Sequence, residues 1–158
     1  MEMDRRSALV TAIERAFASR PYPGDDMIAY SNDPHHLSCD QVKSKFSGLH
    51  WRRVTAEVLE DTGSFALFMT PEAERFYLPA FLLIATNHPD SHPSLRGDLV
   101  DRLSAVDRVD VARRFDGLSR DERDAVAEFL RYVRDTDAET FEGSIDRINH
   151  AIDQFWSK

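Results

Sequence analysis

A chain of 158 residues with 42% apolar side chains can bury about two-thirds of its unfolded surface in one core, without metals or disulfides. Twenty basic against 28 acidic residues leave a net charge of −8, which disfavours nucleic acid and anionic lipid, because both call for a basic patch. The only cysteine, Cys39, excludes an internal disulfide and a cysteine-rich zinc site.

The opening residues, Met1 to Arg6, lack the apolar core of a signal peptide, and the longest apolar run, Phe76 to Ala85, is about half a membrane span. A soluble, cytoplasmic protein is expected. Ala8, Leu9, Ala12, Ile13, Ala16 and Phe17 fall on one stripe and predict a helix from Asp4 to Ser19, stopped by Pro21, Pro23 and Gly24. Asp25 to Leu37, with Asp33-Pro34-His35-His36 inside it, is polar and aperiodic, and its length suits a covering or recognition loop. Ser38 is placed to cap a short helix over Cys39 to Phe46, which Gly48 ends. Trp51, Val54, Val58 and Leu59 share helical spacing, closed by Asp61-Thr62-Gly63. Phe65, Leu67 and Met69 alternate as in a strand. No second strand is legible for them to pair with, so Ser64 to Met69 reads as a helical or extended lead-in to the next helix.

That helix falls in the most hydrophobic segment of the chain, Phe68 to Ala85. Thr70 can cap with its hydroxyl, Pro71 sits where no N–H is needed, and Glu72 and Glu74 meet the positive end of the helix dipole. From Phe76 onward the segment is apolar on every side, as in a helix surrounded by protein. Pro79 lies well inside it, removes a backbone donor and predicts a bend. Glu72, Arg75 and Tyr77 are the polar groups near that bend. They either tie the helix to its neighbours, with Arg75 paired to a glutamate and Tyr77 donating to a loop carbonyl, or line a polar pocket.

Asn87 to Pro93, with Pro89 and Pro93, is a loop. Leu95, Leu99 and Leu103 then mark a helix that runs into the mixed segment Val106 to Phe115. Ser119 and Glu122 form a capping box for a helix carrying Ala125, Val126, Phe129, Leu130 and Val133 on one face. A last helix is expected from about Ala138 to Trp156, with Phe141, Ile145, Ile148, Ile152 and Phe155 inward. The whole reads as one all-α domain over residues 1–158, a bundle of about six to seven helices around the proline-bent central one.

The phrase Phe-Met-Thr-Pro-Glu-Ala-Glu-Arg-Phe-Tyr-Leu-Pro-Ala-Phe at Phe68 to Phe81 resembles the signature of an uncharacterised bacterial domain family, F-[LM]-T-P-E-A-x-R-[YF]-Y-L-P-A-[FY]. Ala16-Phe17, His50-Trp51, Phe115 with Leu118, and Phe129-Leu130 with Tyr132 extend the likeness from about Ala8 to Val133. The resemblance implies a shared helical fold and brings no activity or catalytic residues with it.

Residue chemistry points away from catalysis. His88 and His92 are four apart, but Pro89 and Pro93 remove the helical geometry that would bring them together; His35 and His36 are adjacent and diverge. Cys39 near His35 or His36 comes without an oxyanion loop, and neither a phosphate loop nor a dinucleotide glycine pattern occurs. No cofactor, metal or catalytic residue is therefore expected. Glu57, Glu60 and Asp61 are carboxylates of the kind any acidic helical surface carries.

Two acidic stretches remain. Asp135, Asp137 and Glu139 surround an expected helix start, with Glu142 one turn on; Asp25, Asp26 and Asp33 form the second. Each reads either as capping and solvation or as an edge for a basic partner. The function expected is a small acidic protein-binding module, of which an immunity protein that neutralises a bacterial toxin is one form. The alternatives are an enzyme or ligand-binding protein with a nonstandard site beside the bent helix, and a structural subunit.

Overall fold

The computed structural model describes residues 2–60, 65–89 and 93–158, side chains being described at most of these positions. Eight α-helices occur among them, close to the number expected: α1 Glu2–Ala16, α2 Leu37–Phe46, α3 Ala56–Glu60, α4 Pro71–Asn87, α5 Pro93–Leu103, α6 Arg108–Phe115, α7 Arg120–Thr136 and α8 Ile145–Ala151. Helix α4 is the central one. Residues Phe76 to Leu82 are all buried, and α1, α5, α6 and α7 pack around it. Its start is built as the sequence predicts: the Thr70 hydroxyl accepts from the Ala73 N–H at 3.1 Å and Pro71 occupies the first turn. The helix continues through Pro79.

Its neighbours close its far end. Arg96 of α5 donates from Nε and Nη2 to the Ala85 carbonyl at 3.0 and 2.7 Å, satisfying an acceptor that the last turn leaves open. Trp156, fully buried, does the same for α5 by donating from Nε1 to the Leu103 carbonyl at 2.8 Å. Leu9, Ile13 and Phe17 seat α1 against α4 and α7. The Ser119–Glu122 capping box at the head of α7 is complete, and Arg20 adds a fork onto the Glu122 carboxylate at 2.5 and 2.7 Å.

Four local expectations are corrected. Helix α2 begins early because His36, not Ser38, caps it: the imidazole Nδ1 accepts the Cys39 N–H. The Trp51 to Leu59 stretch is two elements, a 3-10 turn Trp51–Arg53 capped by His50 and then α3, because Val54 is extended and Thr55 restarts the helix through the Val58 N–H. The lead-in is helical and then extended as expected, a 3-10 turn at Phe65–Phe68 followed by Met69, and only its lack of a pairing partner is corrected, since Met69 forms an isolated antiparallel bridge with Ala29. The C-terminal helix starts at Ile145 rather than Ala138. Asp135 therefore stands in the last turn of α7 and Asp137 caps its end, where a carboxylate opposes the dipole instead of complementing it. Asp61 to Ser64 and Asp90 to His92 lie outside the described residues, and with them the expected stop of α3 and one histidine of the 88/92 pair.

Candidate functional site

The segment between α1 and α2 is tied to the entry of α4. Gly24 and a 3-10 turn at Asp25–Met27 lead into Ile28 and Ala29, both buried. The Tyr30 N–H then donates to the Phe68 carbonyl at 3.0 Å, the Thr70 N–H to the Ile28 carbonyl at 3.1 Å, and the Thr70 hydroxyl to the Met27 carbonyl. With its buried residues turned inward, the segment shows its remaining apolar side chains to solvent. Leu37 is 78% exposed, Tyr30 56% and Met27 41%, and Leu67 across the bridge is 59% exposed. Tyr30 stacks on Phe68 with ring centroids 6.3 Å apart, and its hydroxyl lies 2.9 Å from His36 Nε2. Because His36 Nδ1 accepts from the backbone, Nε2 carries the proton and donates to Tyr30. These contacts hold an otherwise exposed phenol ring in place.

Three carboxylates lie on the same segment. Asp25 accepts from the Tyr22 hydroxyl. Asp26, 88% exposed, has Lys43 Nζ at 3.5 Å. Asp33 folds the turn by accepting the His35 N–H at 2.9 Å, its side chain still facing water. None of the three meets an arginine among the described residues.

The other acidic stretch is arranged differently. Asp135 pairs with Arg5 at 2.9 Å and with Arg134 at 2.8 Å; the Arg134 hydrogen bond, joined by Arg5, holds its carboxyl below the usual aspartate range. Asp137 pairs with the buried Arg96 at 3.1 Å. Glu139 and Glu142 are exposed and have no side-chain partner among the described residues. Of these four carboxylates, the two glutamates alone are free to meet another molecule.

The polar groups beside Pro79 separate. Arg75 lies 3.8 Å from Glu72 and donates to the Arg114 carbonyl at 2.8 Å, while Tyr77 points elsewhere, its hydroxyl 2.7 Å from both the Phe46 and Leu49 carbonyls. Burial raises the Tyr77 pKa far above that of a free phenol. The structure brings Glu72 and Arg75 together and leaves Tyr77 apart from them. A polar cavity does exist on α4, of about 310 Å³, and it is built on the residue next to Arg75. Glu74, 3% exposed, receives a fork from Arg102 at 2.7 Å on each oxygen, and Arg114 bonds Asp110. Its charges are met from within the chain.

Among the described residues, nothing near these sites has the layout of a known catalytic set. Cys39 is buried with Sγ 4.0 Å from the Phe68 carbonyl, and no group of three or more metal-ligating side chains converges among the described residues. No helix among them is long and apolar enough to cross a membrane.

A family model described as a family of unknown function (DUF6714) matches residues 5–158. The chain belongs to this family. The match spans the central helix, the 25–37 segment and both acidic stretches alike, so the DUF6714 relationship extends to the whole helical unit. No curated protein and no solved structure matches the chain. Asp25, Asp26 and Asp33 are candidates from the sequence of this family member, whereas the exposed Met27, Tyr30, Leu37 and Leu67 are candidates from the structure alone. A signal exists for Met27, Tyr30 and Leu37, since they interrupt a polar stretch with neither helical nor alternating period.

Proposed function

We propose that this protein is a small, non-catalytic, cytoplasmic module that binds another protein through the 25–37 segment and Leu67. The observation that carries the reading is the exposure of Met27, Tyr30 and Leu37 on a segment tied by its backbone to the entry of α4 and carrying Asp25, Asp26 and Asp33, with the exposed Leu67 lining one cavity together with Tyr30. An aromatic and aliphatic centre with a charged rim is the anatomy of a protein interface, and exposed apolar clusters of this kind mark partner sites. The three aspartates select a basic partner. A bacterial immunity protein that masks a basic toxin is the concrete form of this reading, in keeping with the small size and the net charge of −8. Asp135, Asp137, Glu139 and Glu142 take a lesser part, because half of them are committed to arginines of the same chain.

Co-purification with the products of neighbouring genes tests this. The wild-type chain is expected to capture one basic partner, and Tyr30→Ala with Leu37→Asp to weaken the complex at least about tenfold, the effect of losing a central anchor. A partner that binds the double variant as tightly as the wild type, or no partner at micromolar concentrations, overturns the reading.

A further inference from the structure

A second site shares no residue with the 25–37 surface. Between α6, α7 and the turn after α8 is an open cavity of about 490 Å³, within the size range of small-molecule sites. Arg108, Arg123, His150 and Lys158 line it, and Asp116 is the one carboxylate among its lining side chains. On a chain of net charge −8 this is a local reversal of sign.

Two of the cations here lack a carboxylate at ion-pair distance among the described residues, whereas each arginine of the α4 cavity has one, although Arg114 there, like Arg123 here, keeps a buried N–H without a hydrogen-bond partner. Arg123 donates from Nη2 to the Asp116 carboxylate and carbonyl, both at 3.2 Å, but its Nε is buried without a hydrogen-bond partner. Its guanidinium lies over the Phe155 ring at 5.0 Å, which fixes its plane. Arg108 and the Lys158 ammonium have no carboxylate at ion-pair distance among the described residues, and the exposed His150 is also unpaired there. The Lys158 main-chain oxygen is taken by Arg120 at 3.1 Å, holding residue 158 against α7. In the α4 cavity, by contrast, Arg102, Arg113 and Arg114 each meet Glu74 or Asp110.

We infer that this cavity binds a small organic anion, a phosphate or carboxylate group between Arg108, Arg123 and Lys158 with an apolar body against Phe155. Arginine forks match either oxyanion in two-point contact, and the lysine adds a flexible point charge. The half-buried Phe155 ring supplies the face that separates an organic anion from a free ion.

Titration of the uniformly labelled full chain with phenyl phosphate, followed by amide NMR, tests the inference, with benzoate, inorganic phosphate and sodium chloride at matched ionic strength as further arms. Phenyl phosphate is expected to saturate at or below about 1 mM and to shift amides of Arg108, Arg123, Phe155 and Lys158. Benzoate binding more tightly assigns the site to carboxylates, equal binding to either oxyanion, and weaker binding to phosphates. Arg108→Gln with Lys158→Gln, two side chains without an internal partner, should keep the helical spectrum and cut affinity at least about fivefold. Phe155→Leu should bring phenyl phosphate down to the level of inorganic phosphate. Shifts reproduced by sodium chloride, no saturation by about 20 mM, or a double variant that binds like wild type overturns it.

Discussion

The two acidic stretches look alike in composition and behave as opposites. Residues 135–142 carry Asp135 and Asp137 at the end of α7, where the helix dipole disfavours negative charge, and Glu139 and Glu142 in the turns beyond it. The aspartates are tolerated there because Arg5, Arg134 and Arg96 face them. Residues 25–33 carry three aspartates with no arginine opposite any of them among the described residues, beside exposed Tyr30 and Met27. A carboxylate fronted by an arginine from another helix is a fastener of the fold. One left to a lysine, a hydroxyl or its own turn is available to a partner.

This distinction can be broken by mutation. Glu74, the most deeply buried of the arginine-fronted carboxylates, should show the largest effect. Glu74→Ala leaves Arg102 without its counter-charge and Arg114 with Asp110 alone, and is expected to cost about 3–5 kcal/mol in urea unfolding. Asp137→Ala should cost less, about 1–3 kcal/mol, because Arg96 keeps its two bonds to the Ala85 carbonyl. If it costs nothing, the 135–142 stretch is not a fastener and the contrast fails.

Acid gives a third test, of intermediate size. Desolvation first, then the charges of Arg52 and Arg53, lower the His50 pKa below its ordinary 6.5, consistent with an Nδ1 that must stay unprotonated to accept the Arg52 N–H. Between the folded pKa and 6.5 the unfolded chain binds more protons than the native one, so stability rises with pH in that window. Lowering the pH from about 7.5 to 5.5 should therefore destabilise the wild type more than His50→Asn, which caps without titrating. The arginine-fronted carboxylates, Asp135 and Asp110 among them, have lowered pKa values and lose their contribution only at lower pH, so the two contributions separate along the pH axis. The smallest effect on stability belongs to Asp26→Asn and Asp33→Asn together. Thermal unfolding should stay within error of wild type, while the complex with a basic partner weakens and loses part of its salt dependence.

Legibility in the sequence tracks the distance over which each interaction acts. The cap and first turn of α4, and the Ser119–Glu122 box, are set within four residues and read directly from the chain. His36 as a cap is hidden because imidazole is a rarer capping acceptor than the serine two residues on. The break at Val54 depends on where Trp51 and Leu59 find room in the core, which no local spacing encodes. Asp135 meets Arg134 next to it in sequence, but Arg5 stands 130 residues away and Arg96 stands 41 from Asp137, so these two long-range pairings are properties of the packed helices. Tyr30 and Leu37 escape notice for the same reason in reverse. An apolar residue in a loop reads as a plug for the core, and only the fold reveals that Ile28 and Ala29 fill that role instead.

The single bridge between Ala29 and Met69 has a kinetic consequence. It joins a stretch of irregular chain to the first turn of the best-packed helix, so the segment's conformation is chosen during folding rather than during recognition. A partner of the proposed kind would then meet a ready-made surface, with association governed by diffusion and charge steering instead of by loop rearrangement. The Tyr30 and Thr70 amides should accordingly exchange with solvent slowly, on the timescale of α4 unfolding, even though the Tyr30 side chain itself is exposed.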